Sequence, residues 1–218
     1  MEDSFLSIRR YLKRYDIGGK LIGKYENCKF EFREDAAYNP IEKRLYITSF
    51  YDRIVNVYDE NINKLFSFPT NIQQITGILY HKNMICVDSC NWHNKIKVYD
   101  PNGNFLREIK KPEVYKKIKT DGEKIYVDER WKKRICAFDD EKDEYKYIIE
   151  NLKDPYDIEV SGKLLYVVDA EKVKIFDLDG KYQQTLKFEE NVEEILVIDN
   201  VMVVLMDEKI VLYKMTIE

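Results

Sequence analysis

Short runs of alternating hydrophobic and polar residues follow one another along the chain, and their order returns about every forty residues. The runs at 96–100 (IKVYD) and 104–109 (NFLREI) place apolar side chains as a half-buried pair of β-strands does. Between them lies Pro-Asn-Gly, and Asp-Gly at 179–180 and Gly-Gly at 18–19 take similar places elsewhere. Such residues supply the positive φ angles of tight turns, so each phrase predicts a β-hairpin.

An aromatic residue marks every copy of this hairpin. Successive copies are 43, 41, 39, 38 and 37 residues apart, at Tyr15, Tyr58, Tyr99, Phe138, Phe176 and Tyr213. Another apolar strand precedes each hairpin, as at 84–88 (MICVD), and a weaker strand precedes that one. Four short antiparallel strands, A to D, in a repeated unit are typical of the blades of a β-propeller. No copy shows the helical spacing that α-helical repeats of similar length need.

The units resemble the NHL-type β-propeller repeat. The best copy, DPYDIEVSGKLLYVVDAEKVKIFDLDG, has Pro155 before strand A, an apolar-Tyr-Val-x-Asp pattern that ends at Asp169, and a C–D turn that ends at Gly180. Residues 72–110 and 114–149 match less fully. The resemblance covers most of the chain and implies an architecture rather than an activity. The copy at Phe138 lacks the turn glycine, and the last copy is degenerate.

The repeats predict an all-β propeller with five four-stranded antiparallel blades in a single domain, 1–218. Four complete units are expected at 30–71, 72–113, 114–152 and 153–190. The closing blade is expected to combine strands of 191–218 with strands of 9–29, so that the N- and C-terminal strands pair and no edge is left free. Two alternatives stay open: six blades, and a helix instead of a surplus strand over residues 4–15.

Composition limits the classes of function. The chain has 218 residues, with 36 basic and 40 acidic side chains and a net charge of −4, which gives no global case for nucleic-acid binding. It contains no apolar run of membrane-spanning length and no apolar leader at its N-terminus, so we expect a cytoplasmic protein with no membrane partner. The cysteines form no CxxC pair and are interpreted as buried thiols: Cys28, Cys86, Cys90 and Cys136.

The B–C loops hold the candidate binding residues, and in this architecture these loops share one face. The candidates are Tyr51, Arg53, Trp92, His93, Lys95, Arg130, Trp131, Lys132 and Arg134. Trp, Tyr and Arg are the usual anchors of protein interfaces. Aromatics interleaved with cations also suit single-stranded RNA. The remaining interpretation is that each Trp covers the edge of its own blade while the cations are solvated. The basic run at 110–119 either extends this face or is solvated.

Two aspartates recur in the units. One ends strand B, at Asp88, Asp128, Asp169 and Asp207. A ring of carboxylates around a cation is one interpretation, but we favour backbone hydrogen bonds to each Asp in the B–C loop. The other follows the strand-C aromatic and is expected to start a turn, at Asp16, Asp59, Asp100, Asp139 and Asp177.

Signals for catalysis are weak. The sequence has no GxSxG, HExxH or P-loop motif, and Cys86, Cys90 and His93 lack the fourth ligand of a closed zinc site. We therefore predict a non-catalytic scaffold that binds a protein or peptide and needs no cofactor. An RNA-binding propeller is one alternative. A channel-mouth hydrolase is another, because some six-bladed relatives of the NHL type are calcium-dependent lactonases; its candidates here are Glu34, Asn71, Asp88 and Asp157.

Overall fold

The computed structural model describes residues 4–8, 11–15, 20–25, 35–89, 95–110, 117–198, 200–206 and 209–215. Apart from one turn of 3-10 helix, every regular element in these ranges is a β-strand. The chain falls into two compact units, residues 1–111 and 112–218, which are described in turn.

The first unit contains a three-stranded sheet and two four-stranded sheets, each in chain order. The N-terminal sheet consists of β1 (Ser4–Ile8), β2 (Tyr11–Tyr15) and β3 (Leu21–Tyr25). The alternative of a helix over residues 4–15 is therefore wrong. Blade 1 consists of β4 (Ala36–Asn39), β5 (Arg44–Ser49), β6 (Ile54–Tyr58) and β7 (Lys64–Pro69). Blade 2 consists of β8 (Ile75–His81), β9 (Met84–Ser89), β10 (Lys95–Tyr99) and β11 (Phe105–Lys110).

The second unit contains three sheets, again in chain order. Blade 3 consists of β12 (Ile118–Thr120), β13 (Ile125–Glu129), β14 (Arg134–Asp139) and β15 (Glu144–Ile149). The 3-10 turn (Arg130–Lys132) joins β13 to β14. Blade 4 consists of β16 (Pro155–Ser161), β17 (Leu164–Asp169), β18 (Lys172–Asp177) and β19 (Tyr182–Lys187). The described strands of blade 5 are β20 (Val192–Ile198), β21 (Val201–Met206) and β22 (Lys209–Lys214).

The fold class predicted from the sequence is confirmed, because the chain is an all-β propeller with five blades. All described strand pairs are antiparallel, and strands A to D of each complete blade are neighbours in chain order. The pairing of the N- and C-terminal strands and the extent of a single domain stay predictions.

The second strand of each complete blade carries most of the core. Strand β13 is buried along its whole length, whereas the outer strand β19 is largely exposed. Because both faces of an inner strand are covered, its sequence is a continuous apolar run instead of an alternation. Blades 3 and 4 pack face to face through one apolar cluster that includes Ile135, Ile158 and Leu165.

The C–D turns follow the prediction for the aspartates after the strand-C aromatics. Asp59 Oδ1 accepts hydrogen bonds from the backbone N–H groups of Asn61 and Asn63, at 2.9 and 2.8 Å. Asp100 and Asp177 make the same pair of bonds in their own turns. The side-chain amide of Asn63 also donates to Asp59 Oδ2 at 2.9 Å, and this bond, together with the backbone bonds, holds the pKa of Asp59 below its usual value. Asp16 lies outside the described residues.

Candidate functional site

The B–C turn of blade 3 presents Trp131 at its tip. The indole side chain is 81% exposed, although it belongs to the 3-10 turn between two buried strands. Lys133 follows in the left-handed conformation (φ 55°), and its N–H donates to the Arg130 carbonyl at 3.0 Å. The Lys133 carbonyl in turn accepts a hydrogen bond from Leu152 N–H at 2.9 Å. The turn is therefore tied to residues 150–154, the segment between β15 of blade 3 and β16 of blade 4.

Arg130 fixes the first end of this turn. Its guanidinium forms two hydrogen bonds to the carboxylate of Asp154, from Nε to Oδ1 at 3.1 Å and from Nη2 to Oδ2 at 3.3 Å. The same group lies over the ring of Tyr156, 4.7 Å from the centroid. Because its guanidinium is both paired with Asp154 and stacked on Tyr156, the Arg130 side chain has little conformational freedom.

Arg134 fixes the second end. It forms an ion pair with Glu129, whose side chain is buried, and its guanidinium lies 3.5 Å from the centroid of the Tyr147 ring. A buried carboxylate is costly unless a cation pairs with it, so this contact holds the two ends of the turn together. Trp131 and Lys132 thus project from a turn whose two flanking arginines are both engaged.

The structure decides between two interpretations of Trp131. A side chain that is 81% exposed does not cover the edge of its blade, so that interpretation is wrong for Trp131. Arg130 and Arg134 are each paired with a carboxylate, and both side chains of the Arg130–Asp154 pair keep contact with solvent. Trp92 and His93 lie outside the described residues.

The first-unit candidates lie on two elements. Tyr51 and Arg53 share the B–C turn of blade 1, where Tyr51 is 66% exposed and packs edge-on against Phe50. Arg53 has a φ of 60°, and its carbonyl accepts hydrogen bonds from the N–H and hydroxyl of Thr70. Lys95 begins β10 and forms an ion pair with Glu108 on β11. Arg53 and Lys133 thus share two features: each has a positive φ, and each carbonyl accepts a hydrogen bond from a backbone N–H that follows strand D.

Two of the strand-B aspartates, Asp128 and Asp169, accept backbone hydrogen bonds, as predicted, but the donors are not in the B–C loop. Asp128 Oδ1 accepts from Lys117 N–H at 2.5 Å, and Asp169 Oδ1 accepts from the N–H groups of Lys153 and Asp154 at 2.8 and 2.7 Å. These partners belong to the segment that enters strand A of the same blade. The predicted B–C location is wrong because antiparallel pairing of strands A and B brings the end of B beside the start of A.

The four aspartates also do not share one register position. In blade 2, Asp88 lies opposite Gly77. The equivalent position in blade 4 is taken by Val168, and Asp169 lies one residue further on, opposite Pro155. The Asp88 side chain is buried, and Asp207 lies outside the described residues. Within the described ranges, no group of three or more Asp, Glu, His or Cys side chains is placed to hold a metal ion.

A pair of aspartates that the sequence did not single out together joins neighbouring blades. Asp35 Oδ2 accepts a hydrogen bond from Ile78 N–H at 3.2 Å, and Asp157 Oδ2 accepts one from Ile195 N–H at 2.9 Å. In both cases a carboxylate at the start of strand A binds the backbone of strand A in the next blade. The sequence signal is only an Asp before an apolar strand, which is equally typical of a turn.

Charged side chains line three neighbouring A strands of the second unit. Lys119 Nζ lies 2.6 Å from Glu159 Oε2, and Lys117 Nζ lies 2.7 Å from Glu194 Oε1 and 3.9 Å from Asp157 Oδ1. Residues two apart on a strand share a face, so the alternation at 117–119 and 157–159 brings these charges together. We call these five residues the A-strand charge cluster. By strand pairing, the residue equivalent to Lys119 is Ala37 in blade 1 and Leu79 in blade 2, so these blades have no charge at this position.

Burial sets the ionisation of this cluster. The Asp157 side chain is 1% exposed, and the loss of water raises its pKa to about 6, against the opposing effect of Lys117 and Lys119. Burial alone would lower the pKa of Lys119, but the carboxylates of Glu159 and Asp157 outweigh it and raise that pKa above its usual range. Asp157 Oδ1 makes no hydrogen bond to any described residue.

Replacement of Asp157 by Asn is expected to stabilise the protein at neutral pH. The amide oxygen of the new side chain would still accept the hydrogen bond from Ile195 N–H, but the side chain would carry no buried charge. The folded-state pKa of Asp157, about 6, lies above the ordinary 3.8, so its ionisation opposes folding at pH 7 and this cost disappears as the pH falls towards 4. We expect the free energy of unfolding to rise by about 1–3 kcal/mol at pH 7.5 and the gain to vanish near pH 4.

Urea unfolding of both proteins between pH 4 and pH 8 measures this difference. Asp157→Ala is the matched control, because it also removes the charge but leaves Ile195 N–H without its acceptor, so it should be less stable than Asp157→Asn at every pH. A gain for Asp157→Asn that does not change with pH would contradict the assignment of the raised pKa to Asp157.

The remaining chemical candidates are buried or lie elsewhere. Cys86 and Cys136 are buried free thiols, as predicted, and burial raises the pKa of Cys136 to about 12. Cys28, Cys90 and Glu34 lie outside the described residues. A cavity of about 390 Å³ follows the end of β19. None of the candidate binding residues lines it; the lining residues are Lys187, Phe188, Glu189, Glu190, Met206, Lys209 and Tyr213.

Comparisons with known proteins support the fold and leave the function open. No protein-family model matches the chain, and no curated protein matches its sequence. Among solved structures, the chain is similar to the computationally designed Ika8 protein, with a TM-score of 0.60 and 14% identity over 98% of this chain and 68% of that chain. At this identity the similarity shows the fold alone. The resemblance to the NHL-type repeat stays a prediction. No helix in the described part of the chain is long and apolar enough to cross a membrane.

Proposed function

We propose that the protein is a non-catalytic binding module that holds a protein or peptide partner at the B–C turn of blade 3. The observation that carries this proposal is the exposed indole of Trp131 on a turn whose ends are fixed by two ion pairs. Most large apolar side chains of a folded domain are withdrawn from water, so an exposed Trp held in place by its neighbours is typical of an interface anchor.

The energetics of the turn favour binding. A Trp side chain buries about 150–250 Å² when it is covered, which corresponds to about 4–6 kcal/mol at ~25 cal/mol per Å² before the costs of association. A mobile turn would lose part of this gain to ordering. Here the pairs Arg130–Asp154 and Arg134–Glu129 order the backbone before the partner arrives, which lowers that cost.

The arginine contacts favour a protein partner over RNA. Phosphate recognition by Arg uses the same forked N–H groups that Asp154 occupies at Arg130. An RNA backbone would have to displace a carboxylate at each arginine of this turn. A peptide that covers Trp131 leaves both ion pairs in place.

Trp131→Ala is expected to abolish partner capture while leaving stability almost unchanged. Loss of an interface Trp anchor typically costs about 2 kcal/mol or more in binding, about thirtyfold in affinity. Because the indole contacts solvent over most of its surface, the free energy of unfolding should change by less than about 0.5 kcal/mol. Capture from an extract of the native cell and urea unfolding measure the two effects.

Ile41→Ala provides the matched control, since Ile41 is a 73% exposed apolar residue in the turn between β4 and β5. This variant should keep both stability and partner capture. A loss of about 2 kcal/mol in stability on Trp131→Ala would instead assign the side chain a structural role. Unchanged capture would place the binding surface elsewhere. Trp92→Ala tests the second tryptophan in the same assay.

A further inference from the structure

We propose that blade 5 binds an extended segment of a partner protein, which adds to the edge of β22 in the place of a strand D. Blades 1 to 4 have four strands each, whereas the described strands of blade 5 are β20, β21 and β22. Among the described strands, only β21 pairs with β22. Backbone N–H and C=O groups along the other edge of β22 can therefore accept an incoming strand. The site involves no residue of the B–C turn of blade 3, so the inference goes beyond the proposed function.

The strand-C aromatic of blade 5 lacks the cover that its equivalents have. In blades 2 to 4 a strand-D aromatic lies opposite the strand-C aromatic, in the pairs Tyr99 with Phe105, Phe138 with Tyr145, and Phe176 with Tyr182. All three strand-C aromatics are buried, and the first and third pairs are edge-to-face contacts with centroids 5.9 Å apart. Tyr213 holds this position in β22 and is 40% exposed. In blade 1, where Lys64 lies opposite Tyr58, the Tyr is also only partly buried. An aromatic residue on an added strand would therefore cover Tyr213.

A second strand-D position is apolar in every complete blade. The residues Phe68, Ile109, Ile149 and Leu186 lie opposite Val55, Ile96, Ile135 and Val173. Each follows the residue opposite the strand-C aromatic by four positions, and the equivalent strand-C residue in β22 is Ile210, which is only partly buried. The segment that suits β22 therefore carries an aromatic residue and, four positions later, a large apolar residue.

The cavity of about 390 Å³ flanks the same edge. Lys209 and Tyr213 of β22 line it together with Phe188, whose ring meets that of Tyr213 edge to face with centroids 5.4 Å apart. Residues two apart on a strand share a face, and directly opposite residues of paired strands point to the same side. A side chain opposite Val211 would therefore point to the face on which the cavity lies. The lining contains two basic and two acidic side chains, so a neutral side chain suits this position.

A partner suits this edge better than the strands of the protein itself. Strand β3 already serves β2 as a strand D, because Leu21 lies opposite Tyr15 and the register shifts at this point as it does between β10 and β11. Antiparallel pairing of β22 with β22 of a second copy, matched end to end, would set Lys209 against Lys214. Like charges directly opposite each other destabilise a strand pair, and lysines on an edge strand protect against edge-to-edge association.

A strand D of the protein itself provides the probe. A capped, labelled peptide with the sequence of residues 104–110, NFLREIK, has Phe and Ile four positions apart. Anisotropy with the full chain measures its binding. The same peptide with Ser in place of both Phe and Ile should bind at least about tenfold more weakly, because it loses the aromatic contact and the apolar burial. Absence of binding by the probe, or equal binding of the two peptides, would overturn the proposal.

Backbone methylation tests whether the probe binds as a strand. Methyl groups on the nitrogens of alternate residues block one edge of an extended peptide and leave the other edge intact. Of two such peptides, methylated at the odd or at the even positions, one should bind like the unmodified probe and the other should not bind. Equal affinity of the two would show that side chains alone hold the probe, which contradicts strand addition.

Two Tyr→Ala variants locate the probe on the protein. Tyr213→Ala removes the ring that the aromatic residue of the probe would cover and should weaken binding about tenfold. Tyr182→Ala is the matched control, because it removes an exposed ring from the outer strand of a complete blade and should leave the affinity unchanged. Equal losses from the two variants would overturn the assignment to blade 5. Trp131→Ala should bind the probe like the wild type, so this site and the proposed function are tested independently.

Hydrogen exchange of the β22 amides identifies the occupant of the edge. Fast exchange of its outward N–H groups in the protein alone, with protection when the probe is added, supports a partner's strand. Protection in the monomeric protein without the probe would assign the edge to the protein's own terminal strands. Protection that appears only as the protein concentration rises, together with a dimer on sedimentation, would assign it to a second copy. Either of the last two results overturns the proposal.

Discussion

Gly180→Ala is expected to lower the free energy of unfolding by about 3 kcal/mol or more. Gly180 has a φ of +87° in the C–D turn of blade 4, a conformation that costs an L-residue about 1–2 kcal/mol. A Cβ at this position would also overlap the carbonyl oxygen of Ile148 and lie 2.6 Å from its carbonyl carbon. Ile148 belongs to β15 of blade 3, so Ala forces two packed blades apart, and such overpacking costs about 1–3 kcal/mol.

Gly162→Ala separates the two contributions. Gly162 also has a positive φ, +60°, in the A–B turn of the same blade, but nothing lies within 4 Å of an added Cβ. This control should lose only the backbone contribution of about 1 kcal/mol. Urea unfolding of the two variants gives both values. If Gly162→Ala is as destabilising as Gly180→Ala, the contact between blades contributes nothing and only the turn conformation matters.

Asp169→Ala is expected to be the second large loss, about 3 kcal/mol. The side chain is 2% exposed, and Oδ1 accepts the N–H groups of Lys153 and Asp154 while Oδ2 lies 2.5 Å from Lys174 Nζ. Alanine would leave both N–H groups without an acceptor and Lys174 without its counter-ion. Each partly buried donor that loses its partner costs about 1–3 kcal/mol. The loss would appear as a lower urea midpoint with an unchanged slope.

Two further variants show which interaction matters at Asp169. Asp169→Asn keeps an oxygen for the two N–H groups and removes only the ion pair, so it should retain more than half of the stability lost on Asp169→Ala. Asp177→Ala also removes an acceptor of two N–H groups, but in an exposed C–D turn where water can replace it. We expect a loss of about 1 kcal/mol or less there. Equal losses for Asp169→Ala and Asp177→Ala would show that burial adds nothing at Asp169.

Hydrogen bonds within one turn could be predicted from the sequence, and those between strands could not. Asp177 bonds to N–H groups two and four residues later, so the sequence around it contains both partners. Asp169 binds Asp154, fifteen residues earlier, through the pairing of β16 with β17. The residue type alone predicted that Asp169 would accept a backbone hydrogen bond. Which N–H group it accepts depends on the register of the strands. In β17 the Asp comes one residue later than in β9, so Asp169 does not occupy the register position of Asp88.

For the candidate binding turn, too, the sequence predicted some features and not others. Trp131 and its neighbouring cations were visible as a cluster in the sequence. Whether the indole covered its blade or faced solvent depended on the path of the turn, which the left-handed Lys133 and the contact with Leu152 determine. The pairing of Arg130 with Asp154 joins residues 24 apart, and no local pattern distinguished that arginine from a solvated one.

The sequence by itself determined the propeller, because strand alternation and turn residues are local properties that recur with each blade. It also determined the turn aspartates, whose partners lie within four residues. Only the tertiary structure decided the exposure of Trp131, the pairing of its flanking arginines and the A-strand charge cluster. Asp157 meets Lys117 and the backbone of Ile195 because three A strands lie side by side, and that proximity arises from the packing of blades and not from any short segment of the chain.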